Sequence, residues 1–518
     1  MTRTASPVAQ SNLSRTLADG RLGVPAVVFF VLSAAAPLTV TAGLIPTGYA
    51  VTGVTGIPLA FLVVAVVLAL FSVGYVAMAR HVANAGAFYA YIARGLGRPA
   101  GVGAAWVALL AYNLLQVGLY GAVGAAATPL LDQWLGIAPP WWGTALLAWA
   151  LVAVLGVLRV DVNGTVLAVL LVTEIGVVAL YAAANLAHPA GGVVTVDTLA
   201  PGNLLVPGVG AILALAVLGF VGFESAVVFS EESRNPRRTV PTATYLSVAL
   251  IAVMYALASW AMTVATGPDQ VVVAAAEQGP ELVFNLAAGQ LGQPFADLGH
   301  ALFLTSLLAA MISFHNTTAR YMFALGREQV LPAALGRTSR RTGAPKVGSL
   351  VQSAIGLAVI VTYATAGWDP LVQLFFWCGT SGGIGVLLLV ATTSVAVVAF
   401  FARCPAGLPL SRRLVAPALA AGALGVVVAL AVANIDTLLG VAPDSPLRWV
   451  VTGGYLAAAL VGVGWGLALR SARPEVYATI GLGAKSAVLR VPARPTHPAG
   501  PVHPAGPASP EAKPAVSR

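Results

Sequence analysis

Gly219-Phe220-Val221-Gly222-Phe223-Glu224 sits inside an apolar run that reaches from about Leu204 to Phe229. The run is long enough to cross a bilayer core, which takes about 20 helical residues. Two glycines and a carboxylate within it need an account. Glycine loosens a helix where lipid offers no water to satisfy the freed backbone groups, so broken backbone at that depth is tolerated only against a cavity or other protein. A glutamate inside a span is costly and points to function. The competing reading is that Gly219 and Gly222 let two helices pack closely while Glu224 is paired within the bundle.

Composition fixes the setting. With 58% hydrophobic residues, 9% charged residues and a mean hydropathy of +0.88 over 518 residues, a soluble fold would lack the polar surface to cover itself. The sequence is that of an all-α polytopic membrane protein. Its apolar runs fall near 25–48, 57–79, 101–130, 141–158, 163–186, 206–230, 242–265, 295–321, 347–366, 371–401, 414–433 and 449–469, which predicts twelve transmembrane helices. With the amino terminus in the cytoplasm, every Lys and Arg except Arg448 falls toward the cytoplasmic side. One span more or fewer would scatter this pattern, so positive charge predicts the even count and cytoplasmic N- and C-termini at the cytoplasmic (inner) membrane. The net charge of +9 is then topological and implies no nucleic acid. Residues 1–24 read as a retained cytoplasmic segment with no signal-peptide cleavage site. Residues 471–518, rich in Pro and Ala, read as a disordered cytoplasmic tail. Cys378 and Cys404 should lie at different depths and are not expected to pair.

The first span offers a counterpart to the opening stretch. Ser33-Ala34-Ala35-Ala36-Pro37-Leu38-Thr39-Val40-Thr41-Ala42-Gly43 places a proline, small residues and hydroxyls at mid-membrane, and proline removes a backbone donor and frees a carbonyl one turn earlier. Pro37 alone is compatible with an ordinary kink. The first and sixth spans are nevertheless both interrupted, lie five spans apart and run in opposite directions, the pattern of an inverted repeat whose discontinuous helices meet at a midplane site. Exposed half-helix amino ends attract a carboxylate and carbonyl ends attract an ammonium or a cation, so a zwitterion suits both poles.

These residues resemble the amino acid-polyamine-organocation (APC) superfamily of amino acid permeases. The resemblance is carried by Phe220-Val-Gly-Phe-Glu224 through Ser230-Glu231-Glu232-Ser-Arg-Asn235-Pro236-Arg237-Arg238-Thr-Val-Pro241, and by Arg320 followed by Gly326-Arg327-Glu328-Gln329-Val330-Leu331-Pro332. Where members often carry Gly-Ser/Thr-Gly in the first span, this chain has Ala35-Ala36-Pro37. The resemblance implies a LeuT-like 5+5 inverted-repeat core over 25–401 with discontinuous helices 1 and 6, two accessory helices over 402–470, and alternating access. It also implies that Ala35, Ala36, Leu38 and Thr39 offer backbone to a substrate carboxylate. Gly219, Val221 and Gly222 would receive the amino group, with Phe220 or Phe223 as a gate.

Other polar residues carry alternatives. Tyr112, Asn113 and Gln116 either reach the cavity or hydrogen-bond between helices. Glu231, Glu232, Arg237 and Arg238 are either a cytoplasmic gate or solvated ion pairs. His315 and Asn316 are packing or pathway residues. Glu174 lies near the middle of the fifth run, at about 1.5 Å per residue, where a carboxyl can exchange a proton as its surroundings change. Glu174 and Glu224 are therefore the coupling candidates, Glu174 with a proton as the expected ion and sodium as the other possibility. No Cys/His cluster, phosphate loop or partnered serine nucleophile occurs, so neither metal, cofactor nor enzymatic chemistry is expected. The reading is a secondary active transporter of amino acids, preferring net-neutral substrates. A polyamine or ethanolamine transporter of the same fold, or a non-transporting amino acid sensor, is the alternative.

Overall fold

The computed structural model describes residues 22–483 except 83, 85, 158–159, 340–341 and 406, with the side chains at 160–167 and 231 also left aside. The described elements are helical. In chain order they include α1 (Val24–Ala35), α2 (Ile45–Thr52), α3 (Ile57–Ala79), α4 (Ala87–Gly95), α5 (Arg98–Leu135), α6 (Trp141–Val157) and α7 (Val160–Ala187). After these come α8 (Val209–Phe220), α9 (Ser225–Val228), α10 (Pro236–Thr266), α11 (Val271–Gln278), α12 (Glu281–Leu291) and α13 (Gln293–Arg327). The chain then forms α14 (Lys346–Ala366), α15 (Trp377–Arg403), α16 (Ala416–Ala433), α17 (Ile435–Leu439), α18 (Leu447–Ala472) and α19 (Pro474–Thr479). Eleven helical stretches among the described residues are long and apolar enough to cross a membrane. The run expected at 141–158 is α6, of 17 residues, at the short limit for crossing.

Both expected interruptions are present. α1 stops at Ala35, and Ala36 turns left-handed at φ 48, because the pyrrolidine ring of Pro37 disfavours the right-handed helical region for the residue before it. Thr39–Leu44 then rewinds as a π-type turn leading into α2. α8 stops at Phe220, Val221 is extended, and Gly222 takes φ 113 before the short α9 resumes.

Small residues bring the other helices close. A Cβ on Gly462 of α18 would stand 2.7 Å from the Cα of Gly103 on α5, so these backbones touch as membrane helices do when small residues meet. Large apolar side chains such as Val66, Leu147, Val253 and Leu460 are instead exposed on outer faces. A soluble surface rarely shows this much apolar area, whereas lipid covers it.

The chain stays ordered beyond 471, where the sequence reading began its tail. α19 and the turn after it fold back beneath α4 and α5, with Val476 and Ile480 buried. Arg98 donates to the Ala478 carbonyl at 3.1 Å and lies over the Tyr477 ring. The amides of Gly481 and Gly483 each donate to the buried Glu328 carboxylate at 2.7 Å, which also accepts from Asn84 at 2.9 Å and from the Tyr89 hydroxyl. A buried carboxylate stripped of donors costs about 1–3 kcal/mol or more. A chain ending at residue 473 is therefore expected to melt several degrees below one ending at 483, and equal melting curves would refute the anchoring role.

Candidate functional site

The two breaks face each other, and their backbone groups are satisfied by side chains from four other helices and by Glu224 of the second break itself. Tyr255 of α10 donates its hydroxyl to the Ala35 carbonyl at 2.7 Å. The Leu38 amide donates to Glu174 Oε1 of α7 at 2.5 Å. The Thr39 amide donates to Ser306 Oγ of α13 at 3.3 Å, and that hydroxyl donates to the same Glu174 oxygen at 2.6 Å. At the second break the Gly222 amide donates to Glu224 Oε2 at 2.9 Å, Tyr112 of α5 donates to Oε1 at 2.6 Å, and Tyr75 of α3 donates to the Glu224 carbonyl at 3.1 Å. Both intramembrane carboxylates thus stand in for hydrogen bonds that the broken helices have lost, which is what irregular backbone at this depth requires.

Between the breaks lies a cavity of about 100 Å³, whose lining includes Ala35, Ala36, Thr39, Leu218 and Val221. Of the expected substrate residues, Ala35, Ala36, Thr39 and Val221 line it. Leu38, Gly219, Phe220, Gly222 and Phe223 do not. The Leu38 amide faces Glu174, so neither it nor the Thr39 amide is available to a carboxylate here, in contrast to the expectation. The Phe220 and Phe223 rings pack on Phe61 and Phe71 of α3, at 6.2 and 5.9 Å between centroids, and neither closes over the cavity. On α5 the polar trio is engaged by protein groups, the second of its two readings. Tyr112 holds Glu224, the Asn113 amide turns back to the Leu109 carbonyl, and Gln116 bonds Tyr120. Leu115 and Leu119 of the same helix line the cavity instead, because a helix with apolar residues on every side does not declare its inner face in the sequence.

Below the breaks, toward the end of the bundle where residues 22–24 and α19 lie, aromatic rings and a buried ion pair fill the space between the helices. Phe30 stacks on Phe229 with centroids 4.9 Å apart. Arg320 forms a forked pair with Glu232, Nε to Oε1 at 2.7 Å and Nη2 to Oε2 at 3.2 Å, with its guanidinium over the Phe229 ring. Both partners are buried. Of the four residues expected as a gate, Glu232 is engaged and Arg237 and Arg238 are exposed. The side chain of Glu231 lies outside the described residues. The missing partner, Arg320, was visible only as part of a motif, since its 88-residue separation from Glu232 hides the pairing. His315 bonds Ser349 on α14 at 2.7 Å and is a packing residue here, while the Asn316 carbonyl accepts from Arg320. Removing one partner of a buried pair costs about 3–5 kcal/mol. Glu232→Gln should therefore open this end, raising the reactivity of a cysteine placed at Ser313 toward a membrane-impermeant thiol reagent added on that side. Unchanged labelling would show that the pair is not a closure.

Two interrupted helices meeting at a cavity, among helical stretches long and apolar enough to cross a membrane, define a polytopic membrane protein. A model of the amino acid permease family matches residues 26–448, and the chain belongs to that family. An uncharacterized transporter of Mycobacterium tuberculosis (strain ATCC 25618 / H37Rv) is 29% identical over 199 residues, 38% of this chain and 42% of the relative. The glutamate/serine transporter AimA of Bacillus subtilis (strain 168) is 24% identical over 170 residues, 30% of this chain and 29% of the relative. The branched-chain amino acid permease BcaP of the same organism is 26% identical over 142 residues, 27% of this chain and 30% of the relative. The chain thus spans less than half the length of each of these. The family and these relatives are transporters rather than enzymes. Among the described residues no group of three or more His, Cys, Asp or Glu could hold a metal ion.

Proposed function

We propose that the chain is a secondary active transporter that carries amino acids across the cytoplasmic membrane by alternating access, driven by protons through Glu174. In this reading α6 is the fourth of twelve spans, the first ten form the 5+5 inverted repeat, and both termini are cytoplasmic, which places the Glu232–Arg320 closure on the cytoplasmic side. The observation that carries it is the bond from the Leu38 amide to Glu174. A carboxylate from α7 occupies a donor at the first break, of the kind that an amino acid carboxylate would otherwise use. Ionised, Glu174 holds Leu38 and Ser306 by charge-assisted hydrogen bonds, about twice as strong as neutral ones. Protonated, it loosens them, and the amides of Leu38 and Thr39 can turn to a substrate carboxylate while the carbonyl end of α8 receives the ammonium. Tyr255 is the neighbouring titratable group, and its hydroxyl is committed to Ala35. Proton uptake and substrate binding then favour the same arrangement of α1.

The test is reconstitution. Liposomes holding the purified chain should exchange internal for external amino acids without a gradient and concentrate them when the outside is made acidic. No exchange of any amino acid, with ethanolamine or a polyamine carried instead, would replace this reading by an amine transporter.

A further inference from the structure

We infer that the cavity selects neutral amino acids with short aliphatic side chains, from alanine to leucine in size, and turns away charged ones. This rests on the reading that the chain carries amino acids. Family membership leaves the class open, since one relative is named for glutamate and serine and another for branched-chain amino acids. The walls decide it. Leu115 and Leu119 of α5, Leu218 of α8, Phe314 of α13, and Phe375 and Phe376 from the turn ahead of α15 line the cavity, and no charged residue does. Three threonines line the cavity; Thr39 and Thr47 donate their hydroxyls to Ser306 and the Gly43 carbonyl, which leaves the neutral Thr380 hydroxyl. Glu224 is held by Tyr112 and the Gly222 amide, and Glu174 by Leu38 and Ser306. A lysine ammonium or glutamate carboxylate entering here would lose its water with only neutral hydroxyls to meet it and no opposite charge to pair with.

Size follows from the same walls. An apolar cavity of about 150 Å³ takes a six-carbon ring, so one of about 100 Å³ suits roughly four carbons, a leucine or isoleucine side chain. Two glycines of α15 set that limit. A Cβ on Gly383 would stand 2.4 Å from Leu218 Cδ1, and one on Gly382 2.6 Å from Leu115 Cγ. The leucines are recessed into a Gly382-Gly383 notch, and filling the notch would push them into the cavity.

The experiment is counterflow of labelled leucine in liposomes holding the full chain, competed by each common amino acid. Competition should strengthen about fourfold per methylene from alanine to leucine, fall at phenylalanine and tryptophan, and be absent for lysine, arginine, aspartate and glutamate at hundredfold excess. Leu218→Ala should improve competition by phenylalanine at least tenfold. Gly383→Ala should weaken leucine at least tenfold while sparing alanine. Charged amino acids competing as well as leucine, or folded variants that keep the wild-type order, would overturn the inference. Should either variant fail to fold, the wild-type order decides alone. Counterflow of a charged amino acid with leucine excluded would sink the substrate class only, whereas no counterflow with any amino acid would sink the transport reading beneath it.

Discussion

Glu174→Gln is expected to abolish accumulation driven by a pH gradient while leaving substrate binding and exchange intact. Glutamine can accept the Leu38 and Ser306 donors that Glu174 Oε1 accepts at 2.5 and 2.6 Å, so the break should persist, but its amide cannot take up a proton. One pH unit corresponds to about 1.4 kcal/mol, so a one-to-one symporter should concentrate substrate about tenfold for each unit of gradient. The variant should equalise inside and outside instead. Its substrate affinity should also lose the pH dependence of the wild type, since a neutral side chain mimics the protonated state throughout. If the variant still concentrates substrate on an imposed pH gradient, the carboxylate is only a structural staple. If the wild type responds to sodium alone, the ion has been misassigned.

Gly222→Leu is expected to eliminate binding altogether. Gly222 takes φ 113, and its Cβ would stand 2.5 Å from Ala34 Cβ and 3.2 Å from the Ala35 amide nitrogen. The left-handed backbone costs about 1–2 kcal/mol for a residue with a side chain, and α1 must retreat to admit any side chain at all. Even Gly222→Ala should weaken binding at least tenfold, about 1.4 kcal/mol. Gly219→Ala makes a useful comparison. Its Cβ would crowd the edge of the Phe61 ring at 2.9 Å and meet Leu44 at 3.5 Å, both side chains, from a helical position, so its effect should be smaller. Titrating each purified variant with substrate, beside a check of its size-exclusion profile, separates loss of site from loss of fold. Full-affinity binding by Gly222→Leu would mean that the glycine serves helix packing alone.

What the sequence disclosed and what it hid have a common physical cause. Pro37, Gly222, Glu174 and Glu224 are each anomalous inside an apolar run, so each announces itself without a partner being known. The breaks could be placed to within a residue or two because their causes are local: the ring of Pro37 acts on Ala36, and only glycine readily takes the backbone angle at 222. Pairings were not legible in the same way. Nothing near Glu232 in the chain points to Arg320, and nothing near Tyr112 points to Glu224, because these contacts are made by packing helices distant in sequence. The inner face of α5 stayed undecided in the sequence for a related reason. Polar Tyr112, Asn113 and Gln116 could face a ligand or bond to protein, and the second outcome holds because a polar group inside a membrane protein is satisfied first by its neighbours, which leaves Leu115 and Leu119 to the cavity. Glu328 was visible only within a motif, and its role stayed hidden because two of its partners, the amides of Gly481 and Gly483, belong to a stretch whose composition reads as tail.

The most direct test of the account is a structure of the chain with leucine bound. The side chain should occupy the cavity between Ala36 and Val221, against Leu115, Leu218 and Phe376, with the carboxylate toward the first break and the ammonium toward the carbonyl end of α8. Leucine bound elsewhere, with this cavity empty under saturating conditions, would contradict it.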